Sequence, residues 1–221
     1  MPDPLALGVL LSGRGTNLQA LIDAIATGRL HARIAVVISN VPTAAGIERA
    51  RRHGLSTVVL AHADAPSREA YDTRLVDVLR AHDVGLVVLA GFMRLVTPVL
   101  LSAYPNRVLN IHPALLPAFP GLHAERQALA HGARITGVTV HFVDEETDHG
   151  PILAQTAVPI LPDDSEERLH ARIQREEHRL YPFAVQLIAE DRVRIEGRRV
   201  TILGAAPAPD RALANPDPTS A

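Results

Sequence analysis

The stretch LALGVLLSGRGTNLQALIDAIA, residues 5–26, decides the fold class. Its first part, Leu5–Leu11, is a continuous apolar run, as expected of a strand buried on both faces of a parallel sheet. A turn with two glycines follows, and beyond it apolar residues recur at helical spacing: Leu18, Ala20, Leu21, Ile22 and Ile25. The stretch therefore predicts a strand, a tight turn and a helix, which together open an α/β fold.

The turn itself, SGRGTN at residues 12–17, is of a kind that binds anions. Glycines there let backbone N–H groups approach a ligand, and a helix N-terminus favours negative charge. A dinucleotide site is disfavoured, because the third glycine of the G-x-G-x-x-G pattern would fall at Leu18 and the second strand ends in Ser39-Asn40 rather than in an acid. We interpret the turn as a monophosphate site, with a merely structural turn as the alternative.

Strand-like and helix-like segments then alternate as far as residue 111. Strands are predicted at 34–38, 57–60, 85–90 and 107–111, and helices at 44–52, 67–81 and 98–104. This alternation predicts a doubly wound, mostly parallel sheet of the Rossmann-like kind, with helices on both faces. The most apolar strand, GLVVLA at 85–90, is expected at the centre of the sheet.

The pattern changes after residue 111. A helix is expected within 121–132, and strands at 136–143 and 152–160 are expected to pair antiparallel across the acidic loop 144–149. A long C-terminal amphipathic helix is predicted over Glu166–Ala189, followed by a small hairpin of strands 193–195 and 199–202. We expect a single domain over residues 1–204 and a disordered tail at 205–221, which is rich in Ala, Pro and Asp.

Composition excludes several kinds of chemistry. The 221-residue chain has no cysteine, which rules out disulfides, thiolate catalysis and cysteine zinc sites. All 22 basic residues are arginine, so neither a lysine Schiff base nor a P-loop lysine is possible. No histidine and acid spacing typical of metal sites occurs, and no metal is expected.

Charge and hydropathy point to small-molecule partners. The net charge of −2 gives no case for nucleic acid or an anionic membrane. No apolar stretch reaches the ~20 residues that span a bilayer. The N-terminus has no basic leader, so a cytoplasmic protein is expected. Whether the chain is a monomer or a homodimer is left open.

Three polar residues form a candidate acid–base group. Asn110 and His112 alternate at the end of a predicted strand and so point to the same side, and Pro113 then stops the strand. Ligands bind at strand carboxyl ends in such sheets. Asn110 can donate to an oxyanion, His112 can exchange a proton near neutral pH, and Asp148 can orient the imidazole. Each residue alone is commonly structural, and only the group points to catalysis.

Longer strings around these residues resemble the folate-dependent formyltransferases. LNIHPALLPAFPGLH at 109–123 resembles the signature of that family, and VDEETDHGPILAQ at 143–155 resembles its second motif. Further similar strings are SGRGTNLQALIDA at 12–24, SREAYD at 67–72, VVLAGFMRLV at 87–96 and REEHRLYP at 175–182. The resemblance runs from about Leu5 to Leu203. It implies transfer of a formyl group from 10-formyltetrahydrofolate, as co-substrate, to the amine of a phosphoribosyl glycinamide in purine synthesis.

The resemblance also implies roles for individual residues. The catalytic trio would be Asn110, His112 and Asp148, and the ribonucleotide would be bound by Gly15, Thr16, Asn17 and Glu177. The folate site would be lined by Arg68, Met93, Arg94, Leu95, Val96, Asn110, Asp144, Glu145, Glu146, Thr147 and Asp148, with Arg107 near the folate tail or the phosphate. Residues 1–104 would then form a phosphate-binding half and residues 105–204 a folate and catalytic half. The Leu116–Pro117 bond would be cis.

Two positions depart from the family pattern. The acidic loop of the family usually ends Asp-Gly-Gly, whereas this chain has His149 between Asp148 and Gly150. If that position takes a positive φ, His149 costs some strain there. Arg14 replaces a smaller polar residue in the phosphate turn and is expected to offer a direct phosphate contact.

Four other functions fit the sequence less well than formyl transfer to a ribonucleotide. Hydrolysis of formyltetrahydrofolate and formylation of initiator tRNA share the fold, but those enzymes usually carry an additional domain for which this chain has no room. A non-catalytic nucleotide- or folate-binding module is disfavoured by the intact trio. An oxidoreductase is disfavoured by Leu18 and Ser39-Asn40.

Overall fold

The computed structural model describes residues 3–205 and 214–215, in which strands and helices alternate along the chain. In chain order the elements are β1 (Leu5–Leu11), α1 (Thr16–Ala26), β2 (Ala32–Ser39), α2 (Ala45–Arg52), β3 (Thr57–Val59), α3 (Arg68–Ala81), β4 (Leu86–Leu89), α4 (Pro98–Ala103), β5 (Val108–His112), α5 (Ala124–Ala130), β6 (Ile135–Phe142), β7 (Ile152–Pro159), α6 (Glu166–Ala189), β8 (Val193–Glu196) and β9 (Arg199–Ile202). A single 3-10 turn, His62–Asp64, precedes α3.

Seven strands form one sheet in the order β3-β2-β1-β4-β5-β6-β7. The pairs from β3 to β5 are parallel, whereas β6 and β7 are antiparallel to their neighbours. The mostly parallel sheet, its antiparallel extension and the central place of β4 confirm the predicted architecture. The register sets Asn110 opposite His141 and His112 opposite Thr139, so β5 and β6 carry neighbouring polar side chains.

Helices cover both faces of the sheet, as its two-sided apolar strands require. On one face α1, α2, α5 and α6 bury residues such as Leu21, Ile47 and Ile173 against the sheet. On the other face α3 and α4 bury Tyr71 and Leu100. Because both faces are closed, ligands can reach the sheet only at its edges and at the ends of its strands.

Most predicted boundaries lie within two residues of the observed ones. Helix α6 spans the predicted residues, and the hydroxyl of Ser165 accepts a hydrogen bond from the Arg168 N–H at its N-terminus. The predicted strand 107–111 is observed one residue later, because His112 still pairs with Thr139 of β6. One sheet contains strands from both predicted halves: β3, β2, β1 and β4 come from residues 1–104, and β5, β6 and β7 come from residues 105–204. The functions assigned to the two halves stay predictions. Of the predicted tail, all but residues 205 and 214–215 lies outside the described residues.

Within residues 3–205 and 214–215, no helix combines the length and the apolar character needed to cross a membrane. The Leu116–Pro117 peptide bond is cis, as expected.

Candidate active site

Asn110, His112 and Asp148 converge at the carboxyl end of β5. One carboxylate oxygen of Asp148, Oδ2, lies 3.3 Å from Nδ1 of His112, and the other, Oδ1, lies 3.5 Å from the amide nitrogen of Asn110. Asp148 belongs to the loop between β6 and β7, which leaves β6 opposite Leu109 and folds back so that Asp148 reaches His112 and Asn110. The structure thus brings together the three residues that the sequence predicts as a group.

Asp148 is held as a carboxylate. Burial acts to raise its pKa, but the imidazoles of His141 and His112 and the backbone N–H of Gly121 outweigh burial, so the pKa lies below its ordinary value. The N–H of Gly121 donates to Oδ2 at 2.7 Å. The side chain is only 11% exposed. A buried carboxylate with a lowered pKa stays charged at neutral pH and can accept a proton or orient a cation.

The two ring nitrogens of His112 have different partners. Nε2 lies 2.8 Å from the carbonyl oxygen of Phe119, and because a carbonyl only accepts hydrogen bonds, Nε2 carries a proton. Nδ1 is therefore the nitrogen that faces Asp148. A ligand that takes the place of the Phe119 carbonyl would receive the Nε2 hydrogen bond.

His141 on β6 orients the Asn110 amide. Its Nδ1 lies 2.9 Å from the Phe142 carbonyl, which makes Nδ1 the donor and leaves Nε2 as an acceptor. The Asn110 amide nitrogen lies 3.1 Å from that Nε2. One amide hydrogen is thereby fixed, while the other has only the long contact to Asp148 and is available to a ligand.

Thr139 and Gln155 hold the segment that follows His112. The Thr139 hydroxyl donates to the Ala114 carbonyl at 2.7 Å and accepts from the Leu116 N–H at 3.0 Å. The Gln155 amide donates to the Leu116 carbonyl at 2.9 Å. These contacts fix the backbone that leads from His112 to Phe119, whose carbonyl is the partner of Nε2.

The residues predicted to bind the ribonucleotide also lie together. Gly15 precedes α1 with φ +70°, and a Cβ at this position would collide with Gly46, so the turn requires glycine. The Asn17 amide donates to Oε2 of Glu177 at 3.1 Å, across 160 residues of sequence. Burial raises the pKa of Glu177. The amide oxygen of Asn17 is buried without a described hydrogen-bond partner, which leaves it open to a ligand donor.

Helix α6 adds two polar side chains that the sequence interpretation missed. The Gln174 amide donates to the Thr16 hydroxyl at 3.2 Å. Nδ1 of His170 lies 2.8 Å from Glu125, and its Nε2 lies 3.4 Å from the Arg14 guanidinium. The hydrogen bond to Glu125 is the main cause that raises the pKa of His170. The sequence contained a signal for His170 and Gln174. They lie about two turns and one turn before Glu177, so all three side chains share one face of the helix.

The first turn of α1 suits a phosphate. It contains no acidic residue, and no side chain caps its N–H groups. Arg14 adds positive charge beside it, and Nε2 of His170 lies 3.4 Å from the Arg14 guanidinium. Free N–H groups, a hydroxyl and a guanidinium are the components of a monophosphate site.

The predicted folate segment, 93–96, is exposed and anchored at both ends. Met93 and Leu95 are 65% and 55% exposed. The backbone N–H of Met93 donates to the Ser12 hydroxyl at 2.8 Å, next to the phosphate turn. At the other end Asp72 accepts hydrogen bonds from the Thr97 N–H at 2.6 Å and the Thr97 hydroxyl at 2.8 Å. This ribbon of exposed apolar side chains offers a surface to a flat ring.

Arg68 and Arg94 lie at the same end of α3. Arg94 stacks over the ring of Tyr71, with 4.4 Å between its guanidinium carbon and the ring centroid. Arg68 is the first residue of α3, one turn before Tyr71, and is exposed. Both cations are therefore placed to meet an anionic ligand tail.

Arg107 is not brought to the site. It precedes β5 and lies beside Asp191 and Arg194 at the amino end of the strand. Five residues of extended chain separate it from His112, or about 16 Å. This distance separates Arg107 from the trio, and its place near the folate tail or the phosphate stays a prediction.

The acidic loop is ordered by hydrogen bonds of its own. Asp144 accepts from the Glu146 N–H at 3.1 Å and lies 2.9 Å from Nδ1 of His149. The positive φ is at Asp148, with φ +52°, and not at His149. The strain expected at His149 is thus carried by Asp148, and Asp tolerates this region better than most residues. Glu145, Glu146 and Thr147 are exposed.

Comparison with known proteins gives consistent results. The formyl transferase family matches residues 6–185. Phosphoribosylglycinamide formyltransferase of Escherichia coli K12 is 46% identical over 85% of this chain and 88% of its own length. The enzyme of that name from Mycobacterium tuberculosis CDC 1551 is 48% identical over 90% of this chain and 92% of its own. The crystal structure of glycinamide ribonucleotide transformylase 1 from Symbiobacterium toebii superposes with a TM-score of 0.90, at 55% identity, over 92% of this chain and 96% of its own.

Proposed function

This chain belongs to the formyl transferase family, and on that premise we propose that it transfers the formyl group of 10-formyltetrahydrofolate to the amine of N1-(5-phospho-D-ribosyl)glycinamide. The product is the N-formyl ribonucleotide of purine biosynthesis. The observation that carries the proposal is the convergence of Asn110, His112 and Asp148 at β5, in the same sheet as β1, which leads into the glycine-containing turn, and β4, which leads into the exposed apolar segment. A trio near two different candidate subsites suits a reaction that joins two substrates.

The phosphate turn would hold the ribonucleotide. The phosphate would receive hydrogen bonds from the N–H groups at the start of α1 and from Thr16 and Gln174. Glu177 and the free amide oxygen of Asn17 offer acceptors for ribose hydroxyls. Acceptors beside donors match a ribose phosphate, because its hydroxyl groups donate while its phosphate accepts.

The folate donor would lie along residues 93–96 and the acidic loop. The exposed side chains of Met93 and Leu95 offer apolar contact to the pterin ring, and Arg68 and Arg94 carry charge complementary to the glutamate tail. In this arrangement Asp144 to Asp148 close over the ring from the opposite side. Ser12, which binds both the Met93 N–H and Asn40, links this subsite to the phosphate turn.

The reaction can be written with its charges balanced. The neutral substrate amine attacks the formyl carbon, a C–N bond forms, and the formyl oxygen becomes an oxyanion. The second amide hydrogen of Asn110 and the Nε2 hydrogen of His112, released from the Phe119 carbonyl, donate to that oxyanion. Asp148 accepts the proton of the attacking amine through water and returns it to N10 of the folate as the original C–N bond breaks. Removal of one such oxyanion donor typically costs about 3 kcal/mol of transition-state stabilisation.

A substrate-omission experiment tests the proposal. The protein is incubated with 10-formyltetrahydrofolate, with and without the glycinamide ribonucleotide, and tetrahydrofolate release is followed together with formation of the formylated product. Release only in the presence of the ribonucleotide is expected. Equal release without it would make the protein a hydrolase, and binding of either ligand without release would make it a binding module.

The proposed reaction requires no metal, because the three side chains supply the donors and the proton relay. Both substrates are small and water-soluble, so we place the enzyme in the cytoplasm, with no nucleic-acid or membrane partner. It acts as a monomer or a homodimer, and the trio is complete within one chain.

A further inference from the structure

The tip of the terminal hairpin contacts the acidic loop at the residue that follows Asp148. Arg198 lies in the turn between β8 and β9. Its Nη2 donates to the backbone carbonyl of His149 at 2.6 Å, and its Nη1 lies 3.0 Å from Nε2 and 3.1 Å from Nδ1 of the same residue. One guanidinium thus binds both the main chain and the side chain of His149, one peptide unit from the proposed catalytic carboxylate.

The contact continues into the loop. Nδ1 of His149 lies 2.9 Å from Oδ2 of Asp144, and because a carboxylate only accepts, Nδ1 carries the proton and Nε2 accepts from Arg198. Oδ1 of Asp144 accepts from the Glu146 N–H. A chain of hydrogen bonds therefore runs from Arg198 through His149 to the main chain of the acidic loop.

Contacts from outside the acidic loop add to its own hydrogen bonds in determining its conformation. Asp148 adopts φ +52°, which costs of order 1 kcal/mol for a residue other than glycine. Glu145, Glu146, Thr147 and His149 are exposed and offer the loop no packing of their own. A strained conformation persists only where surrounding contacts determine it.

The hairpin that carries Arg198 packs against the rest of the protein. Its apolar residues Val193, Ile195, Val200 and Ile202 pack against the main core. The Arg192 guanidinium donates to the Leu203 carbonyl at 2.8 Å, which closes the open end of the hairpin. The turn therefore has a fixed position relative to the sheet, and Arg198 transmits that position to the loop.

We propose that Arg198 is a positioning residue for formyl transfer: it holds His149 so that Asp148 faces His112 and the Asn110 amide. The inference rests on the proposed function, since it assigns Arg198 an effect on the same reaction. Arg198 acts through the loop rather than on a substrate. Its loss should therefore lower the rate of the chemical step and leave ribonucleotide binding unchanged.

The test compares Arg198→Ala with Arg199→Ala. Arg199 is the next residue of the hairpin, is also exposed, and has no side-chain contact with the acidic loop among the described residues. For Arg198→Ala we expect kcat to fall by about tenfold or more, because small displacements of catalytic groups have effects of this size. The KM for the ribonucleotide should stay within about twofold of wild type, as for loss of an interaction made only in the transition state.

Two further variants separate positioning from folding. Arg198→Lys retains the charge but presents one ammonium to two acceptors, so kcat should lie between those of Arg198→Ala and wild type. In a His149→Ala background, Arg198→Ala should have a smaller effect that is still measurable, because the contact to the backbone carbonyl remains. Thermal unfolding of each variant, compared with that of Arg199→Ala, shows whether the variant is folded under the conditions of the kinetic assay.

Each result of these kinetic measurements either supports or overturns the proposed role of Arg198. A kcat of Arg198→Ala equal to that of Arg199→Ala would overturn the proposal, as would a rise in ribonucleotide KM at constant kcat. If Arg198→Ala does not fold, a normal kcat in folded Arg198→Lys would overturn it equally. Failure of the wild-type protein to transfer formyl groups would instead overturn the proposed function.

Discussion

Glu177 is a carboxylate that the fold buries beside the phosphate turn. It is 7% exposed, and its one described side-chain hydrogen bond comes from Asn17. Burial penalises its charged form and raises its pKa. A residue that costs folding free energy and lies beside a candidate phosphate turn is better explained by binding than by stability.

Replacement of Glu177 by Gln should make the protein more stable at neutral pH and weaken ribonucleotide binding. A raised folded-state pKa means that the wild-type protein loses stability as pH rises from 4.5 through that pKa, whereas Gln does not titrate. We expect a Tm gain of about 2–4 °C at neutral pH, equivalent to ~1 kcal/mol for a chain of this size, which vanishes on acidification. Unfolding scans across pH measure this. A gain that persists below pH 4.5 would contradict the account.

The backbone of the acidic loop could not be read from sequence. The family pattern points to His149 as the strained position, yet the chain turns one residue earlier and places the positive φ at Asp148. Gly150 must be glycine, since a Cβ there would collide with the Phe142 carbonyl. Which of three adjacent residues takes the left-handed conformation depends on contacts with Gly121 and Arg198, which are remote in sequence.

At the scale of elements, α3 is joined to the proposed folate segment by one buried acid. Asp72 is 2% exposed and accepts two hydrogen bonds from Thr97, which also caps α4. Burial is the main cause that raises the pKa of Asp72. The neighbouring Tyr71 supports Arg94. Helix α3 thus holds the Thr97 end of the segment and supports Arg94 within it.

Asp72→Ala should destabilise the protein and weaken binding of the formyl donor. Removal of the acceptor leaves the Thr97 N–H and hydroxyl without their partner, at a cost of about 1–3 kcal/mol. Chemical denaturation should report this loss, and the KM for the formyl donor should rise more than that for the ribonucleotide. Asp77→Ala, on the exposed face of the same helix, is the control. Equal effects of the two substitutions would exclude the anchoring role.

Elements with strong local signals were predictable, and those without were not. Helix α6 was predicted to its terminal residues because apolar residues recur over its 24 positions and Ser165 caps it. Strand β2 was predicted too short, since Arg33 breaks its apolar run while its backbone still pairs with β1. Pairing partners, rather than composition, set the ends of such strands.

Tyr181 joins helix α6 to the centre of the sheet. Its hydroxyl lies 2.9 Å from the carbonyls of both Leu89 and Leu109, in β4 and β5. The side chain is fully buried. One residue therefore fixes the helix that carries Gln174 and Glu177 to the strand that carries Asn110 and His112.

Tyr181→Phe tests this connection. Loss of the buried hydrogen bond should lower the free energy of unfolding by about 1–2 kcal/mol, since the carbonyls lose a donor but no cavity forms. Tm should fall by about 2–4 °C for each kcal/mol. Differential scanning calorimetry measures both. An unchanged Tm would show that the hydroxyl contributes nothing to the link.

The architecture and the trio were predictable from sequence, whereas the contacts between distant segments were not. The pairs Asn17–Glu177 and Arg198–His149 span 160 and 49 residues, and no local pattern encodes them. Arg107 lies at the amino end of β5 because it directly precedes that strand in the chain. The motifs point to the residues that we propose to act in formyl transfer, while the fold determines which residues support them.

The proposed formyl transfer depends on Asp148, which is held beside His112 and Asn110. Single-turnover transfer by Asp148→Asn, with both substrates saturating, tests it most directly. Asn keeps the size of Asp148 and one of its two acceptor oxygens but cannot accept the proton. The account predicts a rate lower by about a hundredfold or more, with both substrates still bound and the fold intact. A rate within about tenfold of wild type would contradict it.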